Sequence, residues 1–210
     1  SPYFQNPYIN SASFVDSNNG WGAGYDNYSD PSTLILYTND GGTTWNEQSS
    51  LKLYGYLYSI KFIDLNTGWA VGYSPDPSIL IMKTTNGGTT WSQIPDPSIL
   101  IYNITGVDFV DSNNGWICGT DNTFVPIILH TSDGGTTWTR QSTPFVNIIL
   151  NGIDFTDNNN GWAVGYNFSS QGIVLNTQDG GTTWNSTIIS DVYSLAAVSF
   201  PNSTDRKSVV

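Results

Sequence analysis

Asp40-Gly41-Gly42-Thr43-Thr44-Trp45 returns, with one change, as Asn86-Gly87-Gly88-Thr89-Thr90-Trp91, then as Asp133 to Trp138 and Asp179 to Trp184. The closing tryptophans stand 46, 47 and 46 residues apart. A second signature keeps step with the first. Phe14 and Asp16 precede Gly20-Trp21 and Gly24, and the same order recurs as Phe62, Asp64, Gly68-Trp69, Gly72. Phe109, Asp111, Gly115-Trp116, Gly119 and Phe155, Asp157, Gly161-Trp162, Gly165 complete the series. The two signatures use all eight Trp and most of the 21 Gly, so the repeat governs the fold.

Each unit reads as four short strands separated by turn residues. The first ends at Ile60-Lys61-Phe62 or its equivalent. Asn-Asn-Gly or Asn-Thr-Gly then turns the chain, because Asn and Gly tolerate positive φ. The second strand is Gly68 to Gly72 and the third Ile79 to Thr84. The Asp-Gly-Gly turn predicts a hairpin into a fourth strand starting at Thr-Thr-Trp. Four antiparallel strands at this period predict a β-propeller blade. The expected fold is all-β: an arc of four four-stranded antiparallel blades at about 8–50, 56–97, 102–144 and 148–190, with the first strand of a fifth within 192–204. In that strand Val198 and Phe200 match Ile153 and Phe155. Residues 205–210 fit nothing in the repeat. They read as the translation of a sequencing-adapter end, and are expected to be a non-native tail on a piece of a larger propeller.

Composition narrows the function. The 210 residues hold 6 Lys+Arg against 17 Asp+Glu, a net charge of −11, with 11% charged residues where about 25% is ordinary. Glu47 is the one Glu. Without Glu and Lys in number, long surface helices are excluded. So is nucleic-acid binding by clustered cations. The apolar runs are too short to cross a bilayer as helices, which takes about 20 residues. A single cysteine, Cys118, excludes an internal disulfide and a cysteine-based zinc site.

The segment Thr38 to Trp45 is similar to the Asp-box pattern Ser/Thr-x-Asp-x-Gly-x-Thr-Trp of sialidases, xyloglucan-cleaving enzymes and the sortilin family. The doubled motif resembles more specifically the photosystem II stability/assembly factor repeat family. That resemblance spans residues 12 to about 190. It implies a propeller, typically of seven blades, and for photosynthetic members a non-enzymatic assembly chaperone. Related repeats occur in large secreted proteins, which the low-charge, Asn/Ser/Thr-rich composition here resembles. An extracytoplasmic location, secreted or at the cell surface, follows as an expectation, with the periplasm or thylakoid lumen as the alternative.

Candidate residues divide by whether they recur. Asp40, Asn86, Asp133 and Asp179, with Trp45, Trp91, Trp138 and Trp184, recur in every unit and read as structural staples, Asn86 keeping the turn without a charge. Asp16, Asp64, Asp111 and Asp157 read likewise, and one carboxylate per loop makes a poor calcium cage. His130 is the only histidine and replaces Tyr37, Lys83 and Asn176, which points to exposed strand surface. It leaves no histidine-based metal site or Ser-His-Asp triad to build. Cys118 and Met82 fill apolar positions. No metal or other cofactor is expected.

Function is therefore sought in the unrepeated loops 25–33, 73–78, 120–126 and 166–171 and the connections 46–55, 92–101, 139–147 and 185–192, which share one face of a propeller. Tyr28, Tyr54, Asp76, Asp121, Phe124 and Phe168 are the candidate binding residues there. Aromatic rings with a few acids suit a protein or carbohydrate partner. Two readings stand: a non-catalytic interaction or assembly scaffold, and part of an Asp-box glycoside hydrolase acting on polysaccharide. A sialidase needs more arginines than Arg140 and Arg206 supply. A two-carboxylate glycosidase would draw on Asp26, Asp30, Asp76, Asp96, Asp121 and Asp191. The heptapeptide Pro75 to Ile81 is repeated identically at Pro95 to Ile101, with no physical account from sequence.

Overall fold

The repeat folds into four separate sheets of four strands each. A computed structural model describes residues 7–26, 31–48, 52–75, 79–95, 101–143 and 145–200. It divides into two compact units, residues 1–96 and 97–210.

In the first unit, β1 (Pro7–Phe14), β2 (Gly20–Asp26), β3 (Ser32–Thr38) and β4 (Asn46–Glu47) pair in chain order. So do β5 (Tyr56–Phe62), β6 (Gly68–Tyr73), β7 (Ile79–Thr84) and β8 (Ser92–Gln93). In the second unit the sheets are β9 (Asn103–Phe109), β10 (Gly115–Thr120), β11 (Pro126–Thr131), β12 (Thr139–Arg140), and β13 (Ile148–Phe155), β14 (Gly161–Asn167), β15 (Gly172–Thr177), β16 (Asn185–Ile189). Every pairing is antiparallel.

The fourth strands depart from the sequence reading. β4, β8 and β12 are two residues long and begin after the tryptophan. Thr43 and Thr44 stay in the turn because their hydroxyls and the Thr44 amide are bound to Asp40. Residues 192–200 pair with no sheet, although Phe200 donates its amide to Asp154 Oδ2 at 2.8 Å. The tail 205–210 lies outside the described residues, as do 76–78 and 96–100 of the duplicated heptapeptide.

Each first strand carries a one-residue bulge, at Asn10, Tyr58, Thr105 and Asn151. The bulge frees a side chain to reach the following strand of the same kind: Asn10 Nδ2 donates to Leu57 O at 2.8 Å and Thr105 Oγ1 to Leu150 O at 2.7 Å. It also explains a repeated glycine. A Cβ on Gly165 would stand 1.9 Å from Ile149 O, where the bulged backbone crowds in.

Packing between neighbouring sheets is aromatic. Trp21 lies flat on Phe62, centroids 3.7 Å apart, and Trp116 on Phe155 at 3.6 Å. Such pairs contribute about 0.5–1.5 kcal/mol beyond their buried area. Trp21, Ala23, Leu57, Ile60, Phe62, Met82 and Trp91 form one core cluster; Trp116, Cys118, Leu150, Ile153, Phe155 and Trp184 form another.

Candidate functional site

The two ends of the sheets differ in what they do with their polar groups. At one end lie the repeated turns. Thr38 Oγ1 donates to Asp40 Oδ1 at 2.8 Å and accepts from Gly42 N at 2.9 Å. Asp40 in turn accepts from Thr44 N and Thr44 Oγ1, at 2.8 and 2.6 Å. The Thr44 hydroxyl above all, then the Thr44 amide, holds the Asp40 carboxyl at about 2, and Thr137 does the same for Asp133. Asn86 reverses one bond: its amide donates to Thr90 Oγ1 at 2.8 Å, so the turn survives without a charge. Gly41 and Gly42 sit at φ of 70° and 89°, which a side chain would oppose.

The second aspartate series closes the neighbouring turn. Asp16 Oδ1 accepts from the amides of Asn18 and Asn19, both at 2.7 Å, and Asp64, Asp111 and Asp157 repeat the arrangement. Gly41 N then donates to Asn18 O at 2.9 Å, tying the two turns together. Each of these carboxylates accepts hydrogen bonds from the protein's own donors. Among the described residues, no group of three or more His, Cys, Asp or Glu converges to hold a metal.

The other end is irregular. In the second unit, Asp121 Oδ1 accepts from Thr123 N, Thr123 Oγ1 and Val125 N, which shapes the loop that carries Phe124. Burial pulls the Asp121 carboxyl upward, but the Thr123 hydroxyl, these amides and Arg140 at 3.9 Å outweigh it and leave it below the ordinary range. Asn167 Oδ1 plays the same part in the next loop, accepting from Ser169 N and Gln171 N, each at 3.0 Å. Phe168 N donates to Asn147 O at 3.2 Å, joining that loop to the connection before β13.

Three non-glycine residues in this cluster have left-handed backbone: Phe124 at φ 61°, Asn147 at 60° and Ser170 at 56°. They are the three such residues found among the described residues. For an ordinary side chain this conformation costs about 1–2 kcal/mol. The strain presents two phenyl rings. Phe124 and Phe168 meet edge to face at 5.5 Å while remaining 45% and 55% exposed. Val146, next in sequence to Asn147, is also exposed.

Of the six binding candidates, the structure thus gathers Asp121, Phe124 and Phe168. Tyr54 lies in the first unit, exposed and bridged to Ser32. Tyr28 and Asp76, like Asp30 and Asp96, lie outside the described residues. Trp91, Trp138 and Trp184 are buried, whereas Trp45 is 38% exposed.

His130 is a correction to the sequence reading. It is half-buried and stacks on Trp116 at 4.8 Å, its cross-strand partner. Tyr37 covers Trp21 and Lys83 covers Trp69 in the same way. In three of the four copies the position is filled by a group, imidazole, phenol or ammonium, that can face an indole; Asn176 in the fourth carries neither ring nor cation. Burial lowers the His130 pKa, which keeps the ring neutral at pH 7. Cys118 is fully buried and its thiol is pushed up to about 12, so it is no nucleophile.

The sequence pattern of the family described as Photosynthesis system II assembly factor YCF48 matches residues 5–100 and again residues 98–192. The chain belongs to this family. No curated protein matches the sequence. Among solved structures, a YCF48 structure described as bound to D1 peptide is 17% identical with a TM-score of 0.51, covering 86% of this chain and 82% of that one. The Niastella koreensis GH74 enzyme is 15% identical with a TM-score of 0.56, over 87% of this chain and 38% of the enzyme. NanB, in a structure with Optactamide, is 12% identical with a TM-score of 0.62, over 92% and 52%. At these identities the structural likenesses establish the propeller fold and nothing finer. The YCF48 family assignment rests on the sequence pattern, which takes in all four copies of the turn.

Proposed function

We propose that this chain is a non-catalytic docking scaffold whose partner is an extended segment of another protein, seated against Phe124 and Phe168. One observation carries the reading: strained backbone holds two exposed rings in contact where the repeat is not followed. Strain of this kind concentrates at functional sites. The YCF48 family is one of assembly factors by description, and a family structure is described with a bound peptide, which supports a protein partner. The mechanism is shape-based docking with no cofactor: the phenyl pair buries apolar side chains, and the flanking Asp121 and Asn167 loops keep the rings in place. We further propose an extracytoplasmic location, on composition alone; fractionation of the source cells tests it.

The glycoside hydrolase reading is supported by fold likeness only. A general acid needs a raised pKa, whereas the carboxyls of Asp16, Asp40, Asp111, Asp121, Asp133, Asp157 and Asp179 are displaced downward by hydrogen bonds. Titration calorimetry with the D1 peptide tests the proposal. Binding by the wild type and at least tenfold weaker binding by a Phe124→Ala/Phe168→Ala double variant is expected. Equal binding by the two proteins overturns the site. Polysaccharide turnover that Asp121→Ala abolishes overturns the scaffold reading itself.

A further inference from the structure

One position between neighbouring blades is bridged in the first unit and open in the second. The floor is the same in both. Trp21 Nε1 and Gln48 Nε2 donate to Gly87 O at 3.1 and 2.9 Å, and Trp116 Nε1 and Gln141 Nε2 donate to Gly180 O at 3.2 and 2.6 Å. In the first unit Tyr37 then spans the gap. Its ring lies against Trp21 at 5.1 Å, and its hydroxyl donates to Asn19 Oδ1 at 2.7 Å. Leu65 stands on the turn whose Asn66 carbonyl accepts from Gly87 N.

In the second unit His130 takes the place of Tyr37, and Asn158 that of Leu65. The shorter imidazole stacks on Trp116 at 4.8 Å but makes no hydrogen bond among the described residues. Asn114, the counterpart of Asn19, donates its amide to Asp111 Oδ2 at 2.9 Å. Its Oδ1 is left without the donor that Tyr37 supplies to Asn19. The result is a groove of about 450 Å³ whose walls include Asn114, His130, Thr139, Ser142, Asn158 and Thr182. Small-molecule sites fall in the range of about 300–1,000 Å³.

These walls are amide, imidazole and hydroxyl, groups that donate and accept hydrogen bonds without carrying charge. The side chains of Thr139, Ser142 and Asn158 also make no hydrogen bond among the described residues. The charged groups beside them are engaged elsewhere. Asp179 accepts from Thr177 and Thr183 of its own turn. Arg140 shares a sheet face with Leu129, not with His130 and Thr139, and its guanidinium is 3.9 Å from Asp121. Neither an anion nor a cation is matched by this set. A ring bearing several hydroxyls, each both donor and acceptor, is.

We propose that the groove is a binding site for a neutral saccharide ring, separate from the phenyl pair and independent of it. The sugar hydroxyls exchange hydrogen bonds with Asn114 Oδ1, the His130 imidazole and the Asn158 amide, with Thr139, Ser142 and Thr182 at the border. The clasp on Gly180 is made by the protein alone, so the floor is fixed before the ligand arrives and little is ordered on binding. The first unit shows how the same fold fills this position when Tyr37 replaces His130.

That precedent supplies the test. An array of neutral oligosaccharides ending in glucose, galactose, mannose or xylose, beside chains ending in a uronic acid, is probed with the full chain. The wild type should bind one or more neutral sugars in preference to the acidic ones. Titrating the bound sugar should move the imidazole proton signal in the NMR spectrum, which belongs to one residue because the chain holds one histidine. His130→Tyr, which copies the first unit, should weaken binding at least tenfold, and Asn158→Leu, which copies Leu65, at least threefold. Circular dichroism should show both variants folded; should His130→Tyr unfold, Asn158→Leu carries the test. Phe124→Ala/Phe168→Ala should bind the sugar as the wild type does. Absence of neutral-sugar binding, preference for uronic acids, unchanged affinity in the folded groove variants, or loss of binding in the phenyl double variant overturns the proposal.

Discussion

The repeated turns and the unrepeated loops stand at opposite ends of the same strands and use the same residue types differently. At the turns, Asp40, Asp133 and Asp179 are each bound to the hydroxyls of their own hexapeptide and its flanking threonine, and nothing is offered outward. At the loops of the second unit, Asp121 and Asn167 also bind their own backbone, but the result is to lift Phe124 and Phe168 into solvent. A side chain present in every blade thus serves the blade. One that appears once is free to serve a partner.

Substitutions at the two ends should separate stability from binding. The largest effect is expected at Gly165→Val. Its Cβ would meet Ile149 O at 1.9 Å, and a loss above about 4 kcal/mol leaves no cooperative unfolding transition by near-UV circular dichroism. Next comes Thr131→Val. The buried Thr131 hydroxyl donates to Asp133 Oδ1 and accepts from Gly135 N. Chemical denaturation should show a loss of about 1–3 kcal/mol, because the Gly135 amide is left unpaired.

Acid sharpens the comparison between copies. Asp40 and Asp133 titrate at about 2 when folded against an ordinary 3.8. A carboxyl depressed by folding stabilises fully above its unfolded pKa, and that contribution is lost as pH falls through the folded one. Stability should therefore fall between about pH 4 and pH 2. An Asp40→Asn/Asp133→Asn/Asp179→Asn variant, copying the Asn86 turn, should flatten that limb of a stability-against-pH curve. An unchanged acid limb would assign the loss to other groups.

The smallest effects on stability belong to the loops. Phe124→Ala/Phe168→Ala should shift the unfolding free energy by no more than about 1 kcal/mol for each substitution, because each residue is about half exposed. Ser170→Gly should stabilise by a few tenths to about 1 kcal/mol by releasing the φ of 56°. Differential scanning calorimetry resolves both.

The period, the paired Gly-Trp and the Asp-Gly-Gly turn made the blades legible from residue identity, since each needs a particular side chain or none. The bulges were not legible. Asn10, Tyr58, Thr105 and Asn151 occupy one structural position with four chemistries, and only the glycine opposite betrays them. The His130 position was misread for a related reason: in three of the four copies the variety reflects three ways of covering an indole, not exposure. At the loop face the sequence supplied Asp121, Phe124 and Phe168 as separate candidates. Their convergence depends on backbone turns at Phe124, Asn147 and Ser170, in residue types that carry no turn signal as strong as glycine.

The proposed docking site stands on the phenyl pair of Phe124 and Phe168. An array of extended peptides, probed with the wild-type chain and with Phe124→Ala/Phe168→Ala at equal concentration, tests it most directly. Peptides that bind the wild type should lose at least tenfold in affinity for the double variant, while both proteins unfold at the same temperature to within a few degrees. Equal affinities, or the same loss produced by Tyr54→Ala in the first unit, would contradict it.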